Sequence, residues 1–105
     1  MADMKILPDV LIFEWDSGNR EKNLLKHGVT NKEIEEAFIQ KEQYILFDER
    51  HSTLEERYLL WGKMNTGKNL SIIFTIRRDQ VRVISARVMN KKERRSYEEK
   101  IKTDS

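Results

Sequence analysis

A segment of seven residues gathers side chains that could transfer protons and bind phosphate. His51, Glu55, Glu56 and Arg57 lie in and beside the loop before a predicted strand. Cleaving RNA without a metal needs a base for the ribose 2′-hydroxyl, an acid for the 5′ leaving oxygen, and cations for the charge that grows on the phosphate. A histidine could be acid or base, a glutamate could orient it or share the work, and an arginine could hold the phosphate. A solvated, charged loop explains the same composition equally well.

Arg87 is the second candidate, because it stands near the end of a predicted strand over residues 81–88. Successive side chains of a strand face opposite sides of the sheet. The alternation predicts two sets: Ile84, Ala86 and Val88 towards the core, and Val83, Ser85 and Arg87 on the other face. Arg87 could therefore stabilise charge on a phosphate bound to that face. A snorkelling or salt-bridged arginine is the alternative.

Positive charge is concentrated in the last third of the chain. Residues 77–102 hold ten Lys/Arg and four Asp/Glu, whereas residues 1–76 hold ten Lys/Arg and thirteen Asp/Glu. Such an asymmetry prepares a small protein for a polyanion, and nucleic acid is the usual one. The residues predicted to bind RNA are Arg82, Lys91, Lys92, Arg94, Arg95 and Tyr97. Arg82 belongs to the core-side set but lies near the strand's start, hence at the rim. The helix cations could instead form a solvated face or dock an acidic partner, and Tyr97 could instead anchor the helix by its ring.

Two helices are predicted in the first part of the chain. Residues 10–15 read as a short strand, and Asp16-Ser17 could then cap a helix that runs to about His27 and ends at Gly28. His27 is interpreted as a structural residue in the last turn of that helix. A capping box, Thr30 to Glu33, starts the second helix, whose apolar face is formed by Ile34, Ala37 and Phe38.

The rest of the pattern predicts a sheet followed by a third helix. Period-two segments over residues 43–47, 56–62, 70–76 and 81–88 indicate strands, and the short loops between the last three make them antiparallel neighbours. The closing helix begins at Asn90, with Glu93 completing a second capping box. The predicted class is therefore α+β.

Length and composition limit the possible functions. With 105 residues and 36% charged side chains, the chain is expected to form one domain over residues 1–105, with a frayed tail from about 102. The absence of cysteine excludes disulfides and thiol chemistry, and two histidines make a structural metal site improbable, so neither metal nor cofactor is predicted. No apolar run is long enough for a membrane span, and a cytoplasmic location is expected.

Several local patterns occur together in a recognisable order. They are Phe13-Glu14-Trp15-Asp16, Asn23-Leu24-Leu25-Lys26-His27-Gly28-Val29, Asp48 and His51-Ser52 with Glu55-Glu56-Arg57-Tyr58, Val83-Ile84-Ser85-Ala86-Arg87, and Glu93-Arg94-Arg95 with Tyr97-Glu98. Over about residues 12–99 the chain resembles the BrnT family, the toxin half of a bacterial type II toxin–antitoxin pair. The first eleven residues and the loop 64–68 lie outside the resemblance.

This resemblance implies a RelE-like fold, with a compact antiparallel sheet of four to five strands, two N-terminal helices and a C-terminal helix. It also implies an endoribonuclease that blocks translation. The implied partner is a BrnA-like antitoxin, a small DNA-binding protein through which the complex would reach operator DNA. Basic residues at the end of the last strand are catalytic in RelE-like toxins, which assigns such a role to Arg87, with His51 and Arg57 beside it.

The leading hypothesis is a metal-independent endoribonuclease that leaves a 2′,3′-cyclic phosphate and a 5′-hydroxyl. Its predicted catalytic residues are His51, Glu55, Glu56, Arg57 and Arg87. The alternative is a non-catalytic module that binds nucleic acid or protein within a repressor complex. A catalyst would lose rate when His51 or Arg87 is removed, whereas a binding module would lose affinity as the helix cations are neutralised.

Overall fold

A computed structural model describes residues 6–50 and 52–104, except for the side chain of Asp104. The element order confirms the α+β class. In chain order the elements are α1 (Lys22–His27), α2 (Asn31–Phe38), β1 (Tyr44–Phe47), β2 (Tyr58–Lys63), β3 (Asn69–Arg77), β4 (Gln80–Val88) and α3 (Lys91–Asp104).

The sheet is an antiparallel meander in the order β1-β2-β3-β4. Short connections require the antiparallel pairing of the last three strands, as predicted, whereas residues 48–57 separate β1 from β2. The tightest connection joins β3 to β4 through Arg78 and Asp79, both of which have positive φ angles (52° and 63°). Two left-handed residues match the right-handed twist of the flanking strands. All four strands predicted from residue 43 onward are present, with bounds that differ by one or two residues.

The first predicted helix is shorter than expected. Asp16 does not cap a helix, because its carboxylate accepts a hydrogen bond from the N–H of Gly18 (2.8 Å) and its carbonyl binds the N–H of Arg20 (2.7 Å). These contacts close turns over residues 16–20. Glu21 then adopts a left-handed conformation (φ 62°), and α1 begins at the next residue. Gly28 ends α1 as predicted, at φ 69°. The short turn-forming side chains compete with helical backbone pairing over residues 16–20.

The predicted strand over residues 10–15 is also reduced. Its only ladder contact among the described residues is an isolated parallel bridge between Phe13 and Val81. The N–H of Glu14 binds the carbonyl of Val81 (2.8 Å), and the N–H of Val81 binds the carbonyl of Ile12 (2.7 Å). This segment therefore covers the start of the β4 edge, and the main sheet has four strands.

The core lies between α2 and one face of the sheet. The capping box of α2 forms as predicted between Thr30 and Glu33. Its apolar face is buried, and the Phe38 ring meets Phe13 and Phe74 edge to face at 5.2 and 5.0 Å. No helix in the described residues is both long enough and apolar enough to span a membrane.

The alternation predicted for β4 is wrong in its first half. Val83, which was predicted on the outer face, is buried in the core. Val88 keeps its predicted side, opposite the buried Leu70, but is 47% exposed at the end of the strand. Ile73 pairs with Ser85 but Phe74 pairs with Val83, so Ile84 is an extra residue without a partner on β3. This β-bulge changes the phase of the strand. As a result Arg82, which alternates with the buried Val81 and Val83, lies on the face opposite the core rather than on the core side.

Candidate active site

The sheet face opposite the core presents two ordered rows of side chains. The register places Tyr44, Trp61, Ser71 and Arg87 in one row, and Leu46, Leu59, Ile73 and Ser85 in the next. The first row is polar or aromatic, and the second is mainly aliphatic. We call this surface the open face.

Helix α3 covers one end of the open face. The hydroxyl of Tyr97 donates to the carbonyl of Glu42, and the ammonium of Lys100 lies 4.6 Å from the centre of the Tyr44 ring. At its first turn, Glu93 accepts a hydrogen bond from the hydroxyl of Ser71 (3.2 Å). The helix thus spans the face from β4 to β1 and leaves the second row uncovered.

A cleft of about 320 Å³ opens between α3 and the loop after β1. Strand residues form its floor, Glu93 belongs to α3, and the loop contributes two residues. The lining consists of Asp48, Arg50, Leu59, Ser71, Ile73, Ser85, Arg87 and Glu93. Cations, hydroxyls and an aliphatic floor in one concave site can bind a phosphate beside a less polar group.

Arg87 is held at the cleft wall by a bidentate pair with Glu93. Its Nη1 and Nη2 atoms donate to the two carboxylate oxygens at 2.6 and 3.0 Å, and Nη1 also lies 3.4 Å from the Val88 carbonyl. These contacts use three of the five N–H groups of the guanidinium. The side chain is 41% exposed, so the remaining donors can reach a ligand while Glu93 fixes the plane of the group.

The electrostatics of the pair keep both groups ionised. Hydrogen bonds to Glu93 raise the pKa of Arg87, against a smaller effect of burial. Burial alone would raise the pKa of Glu93, but hydrogen bonds from Arg87 and from the backbone of Asn90 outweigh it, so that the pKa lies below the ordinary 4.5. Glu93 also accepts from the Asn90 N–H (3.0 Å) while Asn90 accepts from the Glu93 N–H (2.8 Å), which confirms the predicted capping box.

Replacing Glu93 by glutamine should lower the free energy of unfolding by about 1 to 2 kcal/mol at neutral pH, a modest value because Arg87 is partly exposed. A lowered folded-state pKa means that the ionic contribution is fully present above the ordinary carboxyl pKa and is lost as the pH falls through the folded value. The difference from wild type should therefore be constant above about pH 5.5 and shrink below about pH 4. Urea denaturation at both pH values measures it.

Glu98→Gln is the matched control, because Glu98 is an exposed carboxylate on the same helix. It should leave stability nearly unchanged. A Glu93→Gln deficit that persists undiminished at low pH would contradict the ionic origin.

Arg57 and Glu55 form a second charged group near the start of β2. Arg57 Nη2 lies 3.8 Å from Glu55, and Arg77 binds Glu55 through two hydrogen bonds of 3.1 and 3.0 Å. The hydrogen bonds from Arg77 lower the pKa of Glu55, outweighing the opposite effect of burial. A carboxylate held in this way is a weak base.

Arg82 is engaged on the same face by acidic side chains. Its Nη1 lies 2.9 Å from Glu14 and 2.8 Å from Asp16, and its side chain is only 14% exposed. Two carboxylates neutralise this cation locally. The structure therefore holds Arg82 in a network with the N-terminal segment.

The helix cations and Tyr97 differ in accessibility. Lys91, Lys92, Arg94 and Arg95 are all exposed on α3. Tyr97 is only 4% exposed, and its hydroxyl is bound to the Glu42 carbonyl. Of its two interpretations, anchoring of the helix agrees with this position, and presentation of the hydroxyl to a phosphate does not.

The remaining predicted residues are located less fully. His51 lies outside the described residues, and its sequence neighbour Arg50 lines the cleft. Glu56 is exposed, and its backbone carbonyl accepts from the Thr75 hydroxyl (2.7 Å). The cleft brings Arg87 close to the loop after β1, while Arg57 and Glu55 do not line it.

Sequence reasoning missed four residues that line the cleft. Arg50 and Ser71 carried no local signal, because only the register of the strands and the path of the loop bring them to Arg87, and Ser85 was placed on the same face as Arg87 without being assigned to the site. Glu93 was recognised as a helix cap, but its pairing with Arg87 was not. Glu93 follows Arg87 by only six positions, across the junction between β4 and α3, and this short separation was the available hint.

One structural finding and two comparisons with known proteins complete the description of the site. In residues 6–50 and 52–104 no three His, Asp or Glu side chains cluster closely enough to hold a metal ion. A comparison with curated proteins finds no significant match. The family model described as the ribonuclease toxin BrnT of type II toxin–antitoxin systems matches residues 15–93. Because this match covers well over half of the chain, the protein belongs to the BrnT family of ribonuclease toxins of type II toxin–antitoxin systems.

Proposed function

We propose that the cleft on the open face is the active site of a metal-independent endoribonuclease. The observation that carries the proposal is the position of Arg87, which lines the cleft with two hydroxyl-bearing floor residues and keeps donors available beside its pair with Glu93. Preorganised donors of this kind stabilise charge that develops in a transition state without reorganising during the reaction.

In this proposal Arg87 stabilises the five-coordinate phosphorus centre, and Arg50 adds a second cation. Ser85 lies on β4 in the row beside Arg87, where its hydroxyl can donate to a phosphate oxygen, whereas the single O–H of Ser71 is donated to Glu93 and helps to hold that carboxylate. His51 supplies the acid or the base. The nucleophile is the 2′-hydroxyl of the RNA itself, so the products carry a 2′,3′-cyclic phosphate and a 5′-hydroxyl.

Arg57 is proposed to bind a second phosphate along the RNA. Residues rise about 3.3 Å along a strand and strands lie about 4.8 Å apart, so the backbone of Arg57 lies about 16 Å from that of Arg87. This spacing suits two phosphates of one strand better than two donors to one. Glu55 would then hold Arg57 and Arg77 in place, and Glu56 is the exposed carboxylate that could assist His51.

RNA is proposed to approach across the exposed cations of α3. Lys91, Lys92, Arg94 and Arg95 can contact backbone phosphates. The aliphatic row, most of which forms the cleft floor, can contact the faces of bases. These four cations form the proposed RNA-binding set. Arg82, paired with Glu14 and Asp16, and Tyr97, buried under α3, are left out of it.

We further propose that a BrnA-like antitoxin covers the open face when the toxin is idle. The exposed arginines beside the aliphatic row would be met by a partner segment with acidic and apolar residues. Operator DNA would be reached only through that partner. Cutting RNA in the absence of the antitoxin would inhibit translation.

The test is cleavage of end-labelled RNA by the purified chain in excess EDTA. We expect cleavage that is insensitive to the chelator, with products whose ends are a cyclic phosphate and a free 5′-hydroxyl. Activity restored only by added divalent cations, or products with 5′-phosphate ends, would contradict the mechanism. If naked RNA is not cut, translating ribosomes supply the second substrate, and failure there too would favour a binding module.

The same assay tests the antitoxin proposal. A purified complex with the antitoxin should not cut RNA, because the cleft is covered. A complex that cuts as fast as the free chain would overturn the placement of the antitoxin over this face.

A further inference from the structure

The direction of Arg87 depends on a single extra residue in β4. Arg82 and Arg87 are five residues apart, so an uninterrupted strand would place them on opposite faces. Both lie opposite the core, because Ile84 is a bulge between the segments that pair with Phe74 and Ile73. Without the bulge, one of the two arginines would point into the core.

Three side chains from residues 19–23 bind the backbone at this bulge. Nδ2 of Asn19 donates to the carbonyl of Val83 (3.2 Å), and Nζ of Lys22 donates to the carbonyl of Ile84 (3.0 Å). Oδ1 of Asn23 accepts from the N–H of Ala86 (2.9 Å). These contacts occupy the β4 edge where the pairing with residues 12–14 has ended.

The two asparagines are placed to make these contacts strongly. Asn19 is 3% exposed and Asn23 is 2% exposed, so water does not compete for the backbone groups that they bind. A buried N–H that loses its acceptor is costly, and a strand can relieve that cost by moving its bulge. Nδ2 of Asn23 has no partner among the described residues, so its carbonyl oxygen makes the contact that matters.

We propose that Asn23, assisted by Asn19 and Lys22, is a positioning residue for the ribonuclease reaction, because it holds the bulge that turns Arg87 towards the cleft. This inference rests on the proposed role of Arg87. None of the three side chains lines the cleft, so their effect on catalysis passes through the backbone of residues 83–86.

A double-mutant cycle tests the proposal. Asn23→Ala should lower the single-turnover cleavage rate by about 10- to 100-fold, because small misplacements of a catalytic group have effects of that size. RNA affinity should change little. In an Arg87→Ala background, Asn23→Ala should have no further effect on the rate, since the group that it positions is already gone.

Two controls separate positioning from folding. Val29→Ala removes part of a fully buried core side chain, and it should lower the melting temperature without lowering the rate at temperatures well below melting. If Asn23→Ala fails to fold, Lys22→Ala serves instead, because Lys22 is exposed and contacts the bulged carbonyl. Lys22→Ala should reduce the rate by about threefold when Arg87 is present, and it should have no effect in the Arg87→Ala background.

Each outcome has a defined meaning. Equal loss in both backgrounds, or no loss in either, overturns the positioning role while leaving the role of Arg87 intact. If the single variant Arg87→Ala cleaves RNA at the wild-type rate, both the proposed function and this inference are overturned.

Discussion

Arg87→Ala should reduce the rate of RNA cleavage by about 10²-fold or more, while RNA binds almost as tightly as before. The arginine lines the cleft with donors free for a phosphate, and its pairing with Glu93 fixes it before substrate arrives. The proposed RNA-binding cations of α3 are untouched by the substitution and are expected to carry most of the binding. Single-turnover kinetics in EDTA give the rate, and filter binding gives the affinity.

Arg87→Lys should recover only part of this loss. A lysine keeps the charge but cannot donate in parallel to both oxygens of Glu93 and still present a fork to a phosphate. Arg20→Ala is the matched control, since Arg20 is an exposed arginine on the N-terminal turn. If Arg20→Ala and Arg87→Ala cleave RNA at equal rates, the proposal that the cleft is the active site is contradicted.

Local signals in the sequence were sufficient for much of the fold. The capping boxes at Thr30 and Asn90 form as expected because each depends on side chains only three residues apart. The order of β2, β3 and β4 follows from the short connections between them. Residues 16–20 were misassigned because the same Asp and Asn side chains that cap helices also close turns, and the choice depends on the Asn19 contact with the distant Val83 carbonyl.

The candidate site was less accessible to sequence reasoning, and β4 shows why. The prediction that Arg87 lies opposite the core was correct, but the alternation used to reach it was wrong for Val83 and Arg82. A bulge has no reliable local signature here, because Ile84 looks like any other strand residue. The bulge is instead held by the side chains of Asn19 and Asn23, which are more than sixty positions away in sequence.

The second large effect is expected at His51, the residue proposed to transfer a proton during cleavage. His51→Ala should lower the cleavage rate by about 10² to 10⁴-fold, the range of general acid–base catalysis, and should remove one limb of the pH–rate profile. Glu55→Gln should have a much smaller effect on the chemical step, about 10-fold or less, because Glu55 is bound by Arg77 and its lowered pKa makes it a weak base.

Comparing these variants assigns the roles. Glu49→Gln, which neutralises an exposed carboxylate of the same loop to which no catalytic role is given, provides the matched control for charge. If Glu55→Gln slows the reaction as much as His51→Ala and flattens the same limb of the profile, the carboxylate transfers the proton despite its arginine partners. If His51→Ala alone does so, Glu55 acts by holding Arg57 and Arg77, and its variant should raise the RNA concentration needed for half-maximal rate.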